Sequence, residues 1–243
     1  MSSVKGGVES LAVIPARSGS KSIKNKNIKL FSGKPLIAWT IEQAISSNVS
    51  RVVVTTDSEE IREIAISYGA EVPFLRSCTL ATDSMAIDPV LIDVLDQLKR
   101  KESYTPDCIA LLMPTSPFRL PKDINRALEI YFSDSVSSVV SVAPAIANNN
   151  PYWMLKEGCD GHVKLFNGQE LSKIKARRQE LPEVFIRNDF VYVLSIENLY
   201  MDKPGLYGSK PKLMKISEER LDVDINTKVD WDVAEILFNK GCK

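Results

Sequence analysis

Histidine and paired cysteines are scarce in this chain of 243 residues, and their scarcity excludes several kinds of functional site. The only histidine is His162, and no CxxC pair occurs among the cysteines, which are Cys78, Cys108, Cys159 and Cys242. We therefore expect no zinc site of cysteine and histidine ligands, and we expect reduced thiols, as in a cytoplasmic protein. His162 lies in a turn-rich stretch, where a surface residue is expected rather than a catalytic one.

The sequence also lacks long apolar runs, a charge imbalance and the common nucleotide motifs. No run approaches the roughly 18 apolar residues of a membrane span, and the first residues have no apolar core of a signal peptide. Lysine plus arginine equals aspartate plus glutamate at 31 each, so the net charge favours neither nucleic acid nor membrane as a partner. The absence of GxxxxGKS/T, GxGxxG and GxSxG excludes the P-loop, dinucleotide and serine-hydrolase patterns.

The most informative stretch that is present covers residues 10–27, SLAVIPARSGSKSIKNKN. An apolar run typical of a buried strand leads into a loop of small residues that carries four cations, Arg17, Lys21, Lys24 and Lys26. Small residues let backbone N–H groups approach an oxyanion, and the cations supply charge, so this basic loop is a candidate phosphate site. A solvated surface loop is the alternative, and the stretch alone does not decide between them.

Strand and helix patterns alternate through the first 142 residues. Strands are predicted at 11–14, 51–55, 71–75, 108–113 and 137–142, with helices between them at 34–47, 58–68, 89–101 and 121–132. This is the βαβ pattern of a parallel sheet. After a polar, turn-rich segment, regular structure is predicted at 190–194, 212–216 and 227–239. We expect one α/β domain over 8–243, with 145–183 as an inserted arm that covers its own site or a partner's.

Polar loops follow four of the predicted strands. They read ARSGSK at 16–21, TTD at 55–57, LRSCTLATD at 75–83 and MPTSP at 113–117. Because the carboxyl ends of parallel strands lie side by side, these loops are predicted to meet in one crevice. This convergence favours the interpretation of the basic loop as a ligand site.

Two further groups of charges are candidates for a site. If residues 221–225 are extended, Asp222 and Asp224 point to one face, where their carboxylates suit Mg²⁺; a solvated DxD at a strand end is the alternative. The second group is either a solvated face or a cover that closes over an anion, and it consists of Lys173, Lys175, Arg177 and Arg178, followed by Gln179.

In order and spacing, these motifs resemble the acylneuraminate cytidylyltransferases, also called CMP-sialic acid synthetases. The matching features, which span about 11–237, are the ARSGSK, TTD and PTSP loops together with GAEVPFLR at 69–76, LATD at 80–83, RRQELP at 177–182, Arg187-Asn188 and LDVDINT at 221–227. The resemblance implies a Rossmann-like mixed α/β sheet of the nucleotide-diphospho-sugar transferase type and a homodimer held by the inserted arm. It also implies transfer of a nucleoside monophosphate, CMP from CTP, to the anomeric hydroxyl of a nonulosonic acid of the sialic, legionaminic or pseudaminic type, with release of pyrophosphate.

The resemblance also implies roles for individual residues. The implied catalytic residues are Arg17, Lys21, Asp222 and Asp224, of which the two aspartates are the Mg²⁺ ligands. The implied nucleotide contacts are Ala16, Arg17, Ser18, Gly19, Lys21, Lys26, Asn27, Arg76 and Asp83. The implied sugar contacts are Met113, Thr115, Ser116, Arg178, Gln179, Arg187 and Asn188.

Three departures from the family pattern affect the implied sugar and base contacts. Met113 stands where glutamine is common, residues 84–87 (SMAI) replace a stretch rich in hydroxyls, and Asp189 replaces the glycine after Asn188. A thioether is only a weak acceptor, so the sugar and the base stay open. The same chemistry with GTP or another keto-sugar acid is one alternative, and a catalytically silent nucleotide-sugar-binding module is the other.

Overall fold

The structure, a computed structural model, describes residues 8–217 and 223–241. The strands of these residues are β1 (Ser10–Pro15), β2 (Leu30–Phe31), β3 (Lys34–Pro35), β4 (Arg51–Thr55), β5 (Cys108–Leu111), β6 (Ser138–Pro144), β7 (Leu155–Glu157), β8 (Val163–Leu165), β9 (Phe185–Ser195) and β10 (Pro211–Lys215). The helices are α1 (Leu36–Ile45), α2 (Glu59–Ser67), α3 (Ile87–Glu102), α4 (Pro121–Ser133) and α5 (Lys228–Asn239).

A six-stranded sheet forms the centre of the molecule, in the order β10–β6–β9–β5–β1–β4. Strand β1 pairs in parallel with β4 and β5, and β6 pairs in parallel with β10. Strand β9 lies antiparallel between β5 and β6. The predicted mixed α/β sheet is therefore confirmed, and β9 joins its two parallel parts.

Strand β1 is buried on both faces, which fixes the position of the loop that follows it. Ala12 and Ile14 belong to the core cluster that contains the apolar faces of α1 and α5. Leu11 and Val13 belong to the cluster on the other side of the sheet, which contains the apolar face of α3. A strand without polar positions is typical of a sheet covered on both faces. The basic loop therefore starts from a rigid base.

The helix after β4 begins at a side-chain cap next to the site. The Ser58 hydroxyl accepts a hydrogen bond from the amide of Ile61 at 3.3 Å, as an N-cap residue does. Asp57, the residue before this cap, instead accepts hydrogen bonds from the amide and the hydroxyl of Ser18 in the basic loop. Ser58 therefore caps the helix, and its neighbour Asp57 holds the basic loop.

Three predicted elements differ from the structure. The segment 71–75 is not a strand: only Glu71 pairs, in a single parallel bridge with Val53, because Pro73 has no N–H to donate. Residues 34 and 35 form a short hairpin with β2 rather than the start of α1. The described part of 221–225, which is 223–225, lies in no strand, and residues 221 and 222 lie outside the described residues.

Residues 145–183 leave the sheet between β6 and β9. The amide of Ala145 donates to the carbonyl of Val184 at 2.9 Å, which closes the base of this segment. Strands β7 and β8 form an antiparallel hairpin within it. Several of its large apolar side chains are exposed, namely Ile146, Leu155, Val163, Phe166, Leu171 and Ile174. Across 8–217 and 223–241, no helix is long and apolar enough to cross a membrane.

Candidate active site

A cleft of about 510 Å³ lies at the carboxyl ends of β1 and β5. Three of the four loops that were predicted to meet contribute to its lining, those at 16–21, 75–83 and 113–117, whereas the TTD loop at 55–57 does not line it. The lining includes Arg17, Lys21, Lys26, Asn27, Arg76, Asp83, Met85, Ala86, Ile87, Met113, Thr115 and Asn226. A wider depression of about 620 Å³ beside it is lined by residues 22–25, 28, 29 and 228 only. The cleft is the stronger candidate because several loops of different chemistry meet there.

Two cations of the basic loop converge on one carboxylate in the cleft. Arg17 and Lys21 both form ion pairs with Asp83, and the Lys21–Asp83 distance is 2.6 Å. Hydrogen bonds from Lys21 and Arg17 lower the pKa of the Asp83 carboxyl. Asp83 therefore marks the point at which this loop concentrates positive charge on an anionic oxygen.

The basic loop is held by hydrogen bonds at both of its ends. At one end, Asp57 accepts from the amide of Ser18 at 2.9 Å and from its hydroxyl at 2.6 Å. At the other, the side-chain amide of Asn27 donates to the carbonyl of Arg17 at 3.0 Å. Burial alone would raise the pKa of Asp57, but the Ser18 donors and the nearby Arg76 guanidinium lower it on balance. The loop is thus preorganised around an ionised carboxylate.

Arg76 supplies a further, buried cation with unused donors to the lining of the cleft. Only 6% of the residue is exposed, and its Nε and Nη2 have no hydrogen-bond partner among the described residues. Its distance to Asp57 is 4.0 Å, and burial lowers its pKa. An arginine left with free buried donors at a cleft is suited to an acceptor on a ligand.

Lys26 and Asp224 face each other near the remaining side of the cleft. The Lys26 ammonium donates to the carbonyl of Ile225 at 2.7 Å; burial lowers its pKa, and the Asp224 charge opposes that shift. Asp224 Oδ2 accepts from Asn226 at 2.6 Å, whereas Oδ1 is buried without a partner among the described residues. That oxygen is available to a cation, as the oxygen of a carboxylate ligand must be. Asp222, the other predicted ligand, lies outside the described residues.

No group of three or more histidine, cysteine, aspartate or glutamate side chains in the described residues could hold a metal ion.

The predicted sugar contacts are only partly brought together. Met113 and Thr115 line the cleft. Ser116 and Asn188 are buried beside it, and the Ser116 hydroxyl donates to the carbonyl of Asp189 at 3.2 Å. Arg187 is exposed and donates to the Tyr207 hydroxyl at 2.9 Å. Arg178 and Gln179 are exposed on the inserted arm, and neither lines the cleft that the described residues form.

The remaining predicted nucleotide contacts lie along the basic loop. Ala16 is buried, and its amide donates to the carbonyl of Thr55 at 2.9 Å; Ser18 and Gly19 are exposed at the loop's turn. Sequence reasoning missed Asp57 and Asn226 as organisers of the site. Asp57 lies in the TTD loop, and its partner Ser18 is 39 residues away in the chain. Asn226 lies in LDVDINT, and its contact with Asp224 depends on the conformation of that segment.

Solved structures of known proteins share this mixed α/β fold. The structure superimposes on a solved CMP:2-keto-3-deoxy-manno-octonic acid synthetase complexed with CTP, with a TM-score of 0.70 and 16% identity over 96% of this chain and 99% of the other. At this identity the likeness shows the fold alone.

The family follows from the sequence comparisons. The cytidylyltransferase family model matches residues 11–218. The CMP-N,N'-diacetyllegionaminic acid synthase of Legionella pneumophila is 36% identical over 229 residues, which are 94% of this chain and 95% of that protein. The N-acylneuraminate cytidylyltransferase of Escherichia coli is 34% identical over 95% of this chain and 52% of its own length. The chain belongs to the cytidylyltransferase family and is a nucleotidyltransferase, so the enzyme interpretation is confirmed and the silent binding module is not supported.

Proposed function

We propose that the protein transfers CMP from CTP to the anomeric hydroxyl of a nonulosonic acid and releases pyrophosphate. The observation that carries this proposal is the meeting of Arg17, Lys21, Lys26 and Arg76 in one cleft on a cytidylyltransferase fold. By their names, one relative is a CMP-N,N'-diacetyllegionaminic acid synthase and the other is an N-acylneuraminate cytidylyltransferase. The match to the first covers nearly the full length of this chain and of that relative. These matches favour a sugar acid of the legionaminic or sialic type.

The cations of the cleft supply most of what phosphoryl transfer needs. Such a reaction depends on positioning and on neutralising the charge of the phosphate oxygens rather than on covalent help from the protein. In the proposal, Arg17 and Lys21 exchange Asp83 for the triphosphate of CTP, and Lys26 binds a further phosphate oxygen. The anomeric hydroxyl then loses its proton to solvent as its oxygen bonds to the α-phosphorus and the bond from that phosphorus to the pyrophosphate oxygen breaks.

Mg²⁺ is the proposed cofactor, held by Asp224 through its unpartnered buried oxygen and by Asp222. When bound, the ion would neutralise charge on the phosphates and lower the pKa of a hydroxyl bound to it. We expect chelation with EDTA to abolish turnover and added Mg²⁺ to restore it, with Asp224→Asn requiring a higher Mg²⁺ concentration.

The apolar part of the cleft bears on the base and the sugar. Met85, Ala86, Ile87 and Met113 contribute side chains that offer surface area but no strong hydrogen-bond donor. We propose cytosine as the base on the strength of the family assignment. Because these side chains do not specify a base or a sugar by hydrogen bonds, GTP and a different keto-sugar acid also need to be tested as substrates.

We further propose a cytoplasmic homodimer in which the arm at 145–183 contacts the partner subunit. The exposed apolar side chains of the arm support this, because a monomer rarely exposes so many on one segment. Such an arrangement would give Arg178, Gln179 and Arg187 a role at a partner's site.

Pyrophosphate release, measured with each of the four ribonucleoside triphosphates against a panel of keto-sugar acids, tests the proposal. We expect release only with CTP, and highest turnover with N,N'-diacetyllegionaminic or N-acetylneuraminic acid. Pyrophosphate release with GTP alone would show that the base of the donor nucleotide is guanine rather than cytosine. Nucleotide binding without pyrophosphate release for any pair of substrates would contradict the proposed reaction.

A further inference from the structure

Arg119 is a fully buried arginine two residues after the PTSP turn at 114–117. Its exposed fraction is 0%. Nη1 donates to the carbonyl of Phe190 at 2.7 Å, and Nη2 donates to the hydroxyl of Thr40 at 2.8 Å. Both nitrogens also reach the carbonyl of Met113, at 3.4 and 3.3 Å. One guanidinium therefore joins the turn, strand β9 and helix α1.

The part of β9 that Arg119 contacts is a bulge. The pairing of β6 with β9 shifts between Val140, which is opposite Tyr192, and Val142, which is opposite Arg187. The four residues 188–191 of β9 therefore lie opposite a single residue of β6, Ser141. Asp189 has a φ of 53°, in the left-handed region that aspartate and asparagine adopt more readily than most residues. Bulges of this kind commonly redirect side chains next to active sites.

The bulge and the PTSP turn are tied at two points. Arg119 links the carbonyls of Met113 and Phe190, and the Ser116 hydroxyl donates to the carbonyl of Asp189 at 3.2 Å. Because backbone carbonyls are the acceptors, the contacts constrain the course of the chain rather than single side chains. The two segments should therefore move as one unit.

These two segments carry one half of the proposed site. Met113, Thr115 and Ser116 lie on the turn and Asn188 lies on the bulge, and all four are implied sugar contacts. The phosphate cations lie elsewhere, on the basic loop and at Arg76. We propose that Arg119 is a positioning residue for the sugar half of the cleft, which it aligns by holding the turn and the bulge together; this proposal rests on the proposed function.

A lysine cannot replace this arrangement. Burial lowers the pKa of the Arg119 guanidinium to about 9, and the charge of Asp123 opposes the shift, so the group is protonated at neutral pH. Its hydrogen bonds are charge-assisted, and its planar fork reaches acceptors on three elements at once. A lysine ammonium keeps the charge but is a single point that cannot reach all three acceptors.

Arg119→Lys is therefore the main test variant, and Arg126→Lys is its matched control, because Arg126 is an exposed arginine on α4. Thr40→Val is a second test variant, since it removes one acceptor with little change in volume. Hydrogen exchange by mass spectrometry is followed in segments 113–117 and 187–191 and, as a reference, in β1 and β4. Steady-state kinetics give KM for CTP and for the sugar acid separately.

We expect exchange in 113–117 and 187–191 to accelerate about tenfold or more in Arg119→Lys, with the reference strands unchanged. KM for the sugar acid should rise by about tenfold while KM for CTP stays the same. Thr40→Val should show smaller changes in the same direction, and Arg126→Lys should show none.

Faster exchange across the whole sheet, or an equal rise of both KM values, would overturn the positioning role and leave Arg119 as an ordinary stabilising residue. The exchange experiment needs no turnover. It tests Arg119 even if the unaltered protein is inactive with every substrate pair, an outcome that would contradict the proposed function instead.

Discussion

Single residues in the cleft divide into those that bind charge and those that hold the binders in place. Arg17, Lys21 and Arg76 present donors to the cleft, whereas Asp57 accepts hydrogen bonds from the loop that carries the first two. Asp83 belongs to both groups, because it lines the cleft and forms ion pairs with Arg17 and Lys21. Substitutions in the two groups should therefore have different consequences for turnover and for stability.

Arg17→Ala and Asp224→Asn should each reduce kcat by about 100-fold or more, because each removes charge that stabilises the phosphate oxygens or the cation beside them. Pyrophosphate release gives the rate, and circular dichroism reports the fold. Lys24→Ala and Asp232→Asn are the matched controls, since both residues are exposed and absent from the cleft lining. Unfolding of either test variant would show that a structural residue had been mistaken for a site residue.

Met113→Gln should change the preference among sugar acids and leave nucleotide affinity unaltered. The substitution introduces an amide donor and acceptor into a wall of the cleft that has a weak acceptor only. Ratios of kcat/KM across several keto-sugar acids measure the effect, and Met201→Gln, on the exposed surface outside the inserted arm, is the control. An equal change of activity with every sugar would count against a contact between Met113 and the sugar.

Asp57→Asn should destabilise the protein at neutral pH and much less in acid. The folded-state pKa of Asp57 is lowered, so its contribution is present above the ordinary aspartate range near pH 4 and is lost as the pH falls through the folded-state value. Loss of charge-assisted hydrogen bonds from Ser18 predicts a decrease of about 1.5–3 kcal/mol in the free energy of unfolding at pH 7. Urea unfolding at pH 7 and pH 3 measures it, and a pH-independent difference would refute this account of Asp57.

At the scale of elements, the inserted arm exposes several large apolar side chains within one segment. Leu155→Asp should shift the protein from dimer to monomer, because the leucine is 55% exposed on the β7–β8 hairpin and a charge there opposes burial in an interface. Size-exclusion chromatography with light scattering gives the mass. The control is Val229→Asp on α5, which is 70% exposed and lies outside the arm. A monomeric unaltered protein would rule out the proposed dimer.

The elements that were predictable from sequence are those with local causes. Strand β4 begins and ends where predicted because a β-branched run specifies it, and α4 begins at Pro121 as its first-turn proline indicates. The segment 71–75 has a strand-like composition, but it lies at the sheet edge and contains Pro73, so that only one bridge forms. Edge position is a property of the assembled sheet and is not visible in the segment itself.

The site shows the same division. The basic loop and its convergence with the other polar loops follow from strand order along the chain, which the sequence reveals. The β9 bulge does not, because it depends on contacts of Asp189 and Phe190 with Ser116 and Arg119, more than 70 residues earlier. Arg119 was invisible for the same reason: its acceptors are backbone carbonyls, which leave no signature in side-chain pattern.

At the scale of the whole molecule, the sheet joins two halves of the cleft that have different origins. The parallel strands β1 and β4 deliver the phosphate-binding loops, whereas β5 and the antiparallel β9 carry the turn and the bulge that we assign to the sugar. This division gives the phosphate cations and the proposed sugar contacts at Met113 and Asn188 separate supports in the sheet. The sugar half can vary without disturbing the groups that bind the triphosphate.

The most direct test of the central claim is the identity of the product formed from CTP and N,N'-diacetyllegionaminic acid in the presence of Mg²⁺. Mass spectrometry should detect a CMP-linked sugar acid, and a coupled assay should find pyrophosphate in equal amount. Formation of CDP and phosphate, or of CMP and pyrophosphate without a sugar adduct, would contradict transfer of CMP to the sugar acid.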